Sequence, residues 1–245
     1  MFPLKDDIPS RTIPFVTCGL IALNVLIFLY QVSLQGAGSP DGVRAARDFV
    51  FEFGLVPCRL TGDCASGGGL LPPALTVLTS MFLHGGILHV GGNMLYLWIF
   101  GNNVEDTLGH GRFVVFYFVS GVAAAAAQVA LSAASSVPMI GASGAVAGVL
   151  GAYLLLFPRA NVLTLIIFGF FVRLVRIPAV FVLGFWFLVQ FLSGLATWAV
   201  SVPRGEAAGG ETAWFAHLGG FLTGMALLFV LRPRDPWARG PSRSW

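Results

Sequence analysis

The sequence predicts an all-α polytopic membrane protein, a bundle of six transmembrane helices with both termini cytoplasmic. Three observations predict it. Of 245 residues, 56% are hydrophobic and only 10% charged, with a mean hydropathy of +0.83. Soluble domains carry about 25% charged residues, so this chain cannot cover a water-facing surface. Six apolar segments, 13–34, 82–101, 112–132, 141–157, 178–200 and 213–231, approach the roughly 20 residues that a helix needs to cross the hydrocarbon. Lys and Arg set the orientation. With both termini inside, ten of the 14 fall on the cytoplasmic side, and only Arg44, Arg47, Arg59 and Arg204 fall outside.

Taken in order, residues 1–12 form a cytoplasmic N-terminus. Lys5, Asp6, Asp7 and Arg11 interrupt any cleavable leader there. Cys18 inside the first span reads as a packing residue. The outer loop 35–74 contains "DFVFEFGLVPCRL", a mixture suited to a helix or turn lying in the interface. Cys58 and Cys64 lie in this loop, six residues apart. A disulfide in an oxidising exterior is one reading and two free thiols the other. Between the fourth and fifth spans, "RANVLTLIIFGFFVRLVRIP" is short for a span. It reads as an interfacial or re-entrant segment over about 160–177, with a seventh helix as the alternative. The tail 232–245, "RPRDPWARGPSRSW", reads as a basic cytoplasmic end near anionic lipid headgroups. Nothing suggests nucleic-acid binding. Three cysteines and four histidines at these spacings make no metal site.

Polar side chains within spans are costly and mark functional candidates. They are His84, His89 and Asn93 in "MFLHGGILHVGGNMLYLWIFG", Ser143 in "GASG" and His217 in "AWFAHLGGFLTG". Gln128 and Gln190 read as interhelical hydrogen-bonding groups. His110 in "GHGR" reads as solvated. The second, fourth and sixth spans all run from outside to inside. Each carries its polar group near its start, so His89, Asn93, Ser143 and His217 are predicted at one depth, just below the outer surface. His89 and Asn93, four apart, share a helix face.

Gly144 with Gly148, and Gly220 with Gly224, are small-xxx-small pairs that let helix backbones approach closely. If these faces pack, His217 comes level with Ser143, and a serine beside a neutral imidazole is an activated nucleophile. Pro138 and Gly141 precede Ser143, so a helix start is predicted there, with free N–H groups and a positive dipole end suited to an anion. At 1.5 Å per residue, 141–157 spans about 25 Å against a hydrocarbon core of roughly 30 Å. Its start should therefore be sunk in a wet pocket. The acidic residues belong to loops and termini, or lie at the cytoplasmic end with Glu105 and Asp106, so the pattern is a Ser–His dyad without an acid.

"GASG" around Ser143, "HGGILHVGGN" ending at Asn93 and "AHLGGFLTG" after Ala216 resemble the rhomboid family of intramembrane serine proteases, in its bacterial type, over about 200 residues. The resemblance implies Ser143 as nucleophile and His217 as general base. It implies an oxyanion hole of His89, Asn93 and the Ser143 backbone N–H. His84 is implied to be supporting, and Gly141, Gly144, Gly220 and Gly224 are expected to support the site as well. Glu105 in "NNVEDTLG" matches a family acid that organises the cytoplasmic loop. Two positions depart from the pattern. Many members carry an aromatic residue four after the nucleophile, where this chain has Ala147, so His217 must be held by something else. The Trp-Arg pair common in the first outer loop is also absent.

The function expected from this resemblance is cleavage of peptide bonds in or near transmembrane segments of other membrane proteins, without cofactor or metal. Substrates and membrane lipids are then its partners. The expected location is the bacterial inner membrane, with the site opening outward. The loop 201–211, "SVPRGEAAGGE", is predicted to be a mobile lid, with the outer part of the fifth span near Trp198 as a side gate. The alternative is a non-catalytic rhomboid-like factor that binds membrane proteins or serves their quality control. Such a factor normally loses the serine or the histidine.

Overall fold

The computed structural model describes residues 2–64, 69–169, 171–201 and 213–233. The predicted lid, beyond Ser201, and the basic tail, beyond Pro233, lie outside them. Helices form at all six predicted places: α1 (Phe15–Leu34), a bent assembly ending at Leu108, α7 (His110–Leu131), α8 (Ser143–Leu156), α9 (Ala179–Ser201) and α10 (Trp214–Leu231). Among the described residues α1, α7, α9 and α10 are each long and apolar enough to cross a membrane. Pro73–Phe82 and Ile87–Leu108 meet that test together, bent by 82°. α8, at 14 residues, is shorter.

The second span differs most from its predicted bounds. It comprises α4 (Pro73–Thr79), a 3-10 turn at Ser80–Phe82, then α5 (Ile87–Tyr96), a π-helical stretch at Leu97–Gly101 and α6 (Asn102–Leu108). The helix continues past 101 because its last turn has buried work to do. The Glu105 carboxylate is fully buried and accepts the Val16 and Thr17 N–H groups at 3.0 and 2.8 Å, closing the open start of α1. It also meets His110 Nδ1 at 2.6 Å. His110 is therefore a partner of Glu105, contrary to its reading as merely solvated. Asp106 accepts from the Arg11 N–H and the Thr12 hydroxyl in the same place.

The region 35–74, predicted to be the outer loop, contains a 3-10 turn at Gly36–Gly38 and two α-helices, α2 (Pro40–Phe53) and α3 (Pro57–Thr61). The Ser39 hydroxyl caps α2 by accepting from the Gly42 N–H, and Pro40 occupies its first turn. Cys58 and Cys64 are joined in a disulfide, with Cα atoms 4.9 Å apart.

The reading of the chain as all-α misses a three-stranded antiparallel sheet, β1 (Phe2–Lys5), β2 (Asn161–Phe168) and β3 (Phe171–Pro178), in that order. The seventh-helix alternative for 160–177 is thereby excluded. β2 and β3 form a hairpin in full register from Asn161↔Pro178 to Phe168↔Phe171, and Gly169 at φ 56° starts its turn. A run rich in Val, Ile and Phe favours a pleated strand over a helix. β1 adds to β2, and the two aspartates after it fix it there. Asp6 accepts from Asn103 Nδ2 and the Tyr153 hydroxyl. Burial outweighs these bonds and raises its carboxyl above the ordinary aspartate range. Asp7 is held by the Asn161 side chain and backbone N–H, and these bonds lower its carboxyl.

The core surrounds α8, which is buried without interruption from Gly144 to Tyr153. A helix apolar all round belongs inside a bundle. Phe100, Phe113, Phe116, Tyr117 and Tyr153 are all fully buried. By contrast α1 and α9 expose Leu26, Leu29, Phe181, Phe185 and Leu192. In water such a surface would be a liability; in lipid it is the solvated face.

Candidate active site

α8 and α10 cross with their backbones in contact. A Cβ built on Gly220 would run into the Gly144 carbonyl, and one on Gly224 into the Gly148 carbonyl. The small-residue faces pack against one another as their spacing predicted. This close approach brings His217 Nε2 to 2.8 Å from Ser143 Oγ. His217 is buried, and Ser143 is the first residue of α8. The N–H groups of that first turn have no intrahelical partner.

The segment leading into α8 is fixed from two sides. Leu55 and Met139 exchange both backbone hydrogen bonds, at 3.1 and 2.7 Å, and the Gly141 N–H donates to the Ser80 carbonyl at 2.9 Å. Gly141 has φ 126°, a conformation L side chains rarely adopt. A Cβ there would lie 2.8 Å from His89 Nε2 and 3.5 Å from Ser143 Oγ. The histidine and the serine therefore flank one small space that glycine leaves open. Gly141→Ala should close that space and strain the turn, at a cost of about 1–3 kcal/mol. The check is the melting temperature, which is expected to fall.

His89 is oriented by its own loop. The Gly85 N–H donates to His89 Nδ1 at 3.3 Å, so in the neutral ring Nε2 carries the proton and is a donor toward the space beside Gly141. Asn93, one helical turn on, is buried, and its Nδ2 has no partner among the described residues. An unsatisfied buried donor calls for an explanation. His84 packs edge-on against the His89 ring at 5.1 Å. Its backbone is clasped by Gln31, which accepts from the His84 N–H at 3.0 Å and donates to its carbonyl at 3.3 Å.

His217 has neighbours that replace the missing aromatic at Ala147. Trp186 of α9 lies 5.8 Å from its ring and Trp214 stands edge-on at 6.3 Å. Gln190 Oε1, also from α9, is 2.6 Å from His217 Nδ1. Gln128 of α7 accepts the Ala216 N–H at 3.3 Å, bracing the first turn of α10. Both glutamines bond between helices, as their position in apolar spans suggested. Sequence reasoning did not connect Gln190 or Trp186 to His217; the polar side chain in an otherwise apolar segment was the available signal. A narrow cleft beside Ser143 runs between Val77, Met81, Gly121, Ala124, Met139 and Ala216, so only small groups fit there.

Known proteins are similar to this chain. The family model described as Rhomboid domain matches residues 73–234. "Rhomboid protein 1, mitochondrial" of Saccharomyces cerevisiae is 34% identical over 164 residues, covering 62% of this chain and 40% of that protein. "RHOMBOID-like protein 6, mitochondrial" of Arabidopsis thaliana is 31% identical over 163 residues, covering 66% and 45%. "Rhomboid protease GluP" of Bacillus subtilis is 42% identical over 78 residues, covering 32% and 15%. The chain thus spans less than half the length of each of these relatives. With the domain match covering most of the chain and the packed glycine faces joining two of its three motifs, the chain belongs to the rhomboid family.

Proposed function

We propose that the chain is an intramembrane serine endopeptidase that cleaves peptide bonds in or near transmembrane segments, with Ser143 and His217 as its dyad. The observation that carries this reading is the 2.8 Å contact between His217 Nε2 and Ser143 Oγ. Both residues being present and bonded disfavours a non-catalytic binding or quality-control role. The apolar helices cross the bilayer six times, α8 being a short span whose start is sunk below the surface. Both termini are cytoplasmic, which the distribution of Lys and Arg supports. The site opens to the outer side. A bacterial plasma membrane is supported by the Bacillus relative, the most identical of the three over its shorter match.

Catalysis follows from the contacts. Ser143 Oγ attacks the scissile carbonyl carbon while its proton passes to His217 Nε2. The carbonyl oxygen becomes an oxyanion held by Asn93, His89 and the Ser143 N–H at the start of α8. Collapse of the tetrahedral intermediate breaks the C–N bond, and His217 returns the proton to the leaving amine. Water, deprotonated by His217, then hydrolyses the acyl ester and restores Ser143. A substrate helix must unwind locally first, since its carbonyls are otherwise bonded within the helix. The small cleft supports a small residue at the cut. Access is by movement of the outer part of α9 near Trp198.

The decisive experiment is labelling of the reconstituted protein with a fluorophosphonate, followed by identification of the modified residue. Modification at Ser143 together with cleavage of a transmembrane model substrate is expected; the absence of both in folded protein would refute the reading. The oxyanion assignment has its own test. Asn93→Ala should lower turnover by roughly 10²–10³ with little change in KM, because the bond it removes exists only in the transition state. It should still be labelled at Ser143, since backbone N–H groups remain. Full turnover in both Asn93→Ala and His89→Ala would leave the backbone alone as the oxyanion site.

A further inference from the structure

We propose that Gln190 is a positioning residue that fixes the proton on His217, so that α9 supplies part of the base. The inference rests on the dyad reading above. For Ser143 to give up its proton, Nε2 of a neutral imidazole must be bare, and the single ring proton must sit on Nδ1. Nδ1 lies 2.6 Å from Gln190 Oε1. A carbonyl oxygen can only accept, so this contact selects the Nδ1–H tautomer and leaves Nε2 free to accept from Ser143. In the opposite tautomer Nδ1 would be a bare acceptor facing the Gln190 oxygen, and an N–H would point at the serine.

Among the described residues the surroundings offer no substitute. α9 carries no charged or titratable side chain. The other groups against the His217 ring are Trp186 and Trp214, which set its tilt but bond to neither nitrogen. Gln128 is engaged with the Ala216 N–H and the Ser132 hydroxyl. His89, across the site, has its Nδ1 occupied by the Gly85 N–H and offers only an N–H at Nε2, so it cannot accept the His217 proton. Gln190 is buried, so water does not compete easily for the bond. An amide thus holds the place a carboxylate holds in a three-member arrangement. It orients the ring without adding charge, and a full charge at this depth would be costly.

The helix that carries Gln190 has a consequence for control. α9 faces outward over Phe181, Phe185, Leu188 and Leu192. When α9 is displaced, His217 loses both Gln190 and Trp186. Opening the site at this helix therefore also disarms the base, and the bond cleaves only after α9 has returned.

Two full-chain variants in proteoliposomes test the assignment. Gln190→Met keeps the volume and removes the acceptor. Its kcat should fall by roughly 10²–10⁴, the upper figure being the cost of mis-set tautomer in a serine protease triad, with KM and melting temperature near wild type. Labelling of Ser143 by fluorophosphonate should slow in step. Gln190→Glu keeps the acceptor and adds a charge that favours imidazolium, so it should retain turnover at alkaline pH. Its kcat/KM profile should have the acid limb moved to higher pH. A Gln190→Met enzyme with wild-type kcat, or a Gln190→Glu enzyme with an unshifted profile, overturns the proposal while leaving the dyad intact. If Gln190→Met proves unstable, the Gln190→Glu profile alone decides. A wild-type protein that is neither active nor labelled at Ser143 removes the dyad and this inference together.

Discussion

Ser143→Ala and His217→Ala are each expected to bring cleavage of a transmembrane substrate to background, and the double variant to be no worse than either. The nucleophile and its base act as a unit, and removing one member of such a unit costs on the order of 10⁶ in turnover. The structure gives a reason why the fold should survive. Ser143 opens α8, where among the described residues its side chain bonds only to His217, and α8 is held by glycine contacts, not by that hydroxyl. His217→Ala leaves a cavity under Trp186 and frees Gln190, so some loss of melting temperature is expected in that variant and very little in Ser143→Ala. Purified protein, a model substrate and thermal melting in detergent suffice. Wild-type turnover in folded Ser143→Ala would remove the serine mechanism altogether.

Much of this arrangement is legible in the sequence because membrane helices announce themselves by long apolar runs. α1, α7, α9 and α10 begin and end within two residues of their predicted bounds. The pairing of Ser143 with His217 is legible too, since small residues four apart let helix backbones approach closely, and Ser143 and His217 each lie a fixed step from such a pair. The sheet is not legible. "NVLTLIIF" and "FVRLVRIP" are apolar runs too short for periodicity to separate strand from helix, and the partner of β2 on its other edge is β1, near the far end of the sequence. The length of α6 depends on where Glu105 is buried, which a local reading cannot see. The two cysteines stayed undecided because pairing depends on a Cα separation that spacing alone does not set. Gln190 was legible as a hydrogen-bonding residue but not as a neighbour of His217, because that requires the rotation of α9 about its own axis.

Gly220→Val is expected to abolish turnover and to lower the melting temperature, although residue 220 bears no reacting group. Its Cβ would overlap the Gly144 carbonyl and press on Ala124 Cβ at 3.3 Å. A flexible side chain can give way, but a backbone carbonyl cannot without moving its helix. Gly144 is already the smallest residue, so no repacking on the facing side relieves the clash. Overpacking of this kind costs typically about 1–3 kcal/mol and occasionally more. The helices are also held at Gly224 against Gly148 and at Gly151 against the Phe221 carbonyl, so the strain falls on the site end of the crossing. There Ser143 and His217 meet at 2.8 Å, and a displacement of about 1 Å costs on the order of 10² in rate through positioning alone. The same shift moves the start of α8 away from His89 and Asn93, and the two losses multiply. Gly184→Val is the matched control: it lies in α9, where a Cβ meets nothing within 4 Å, and it should leave turnover and melting temperature unchanged. Equal behaviour of the two valine variants would mean that the distance between α8 and α10 does not set the dyad, and the link from glycine spacing to chemistry would have to be abandoned.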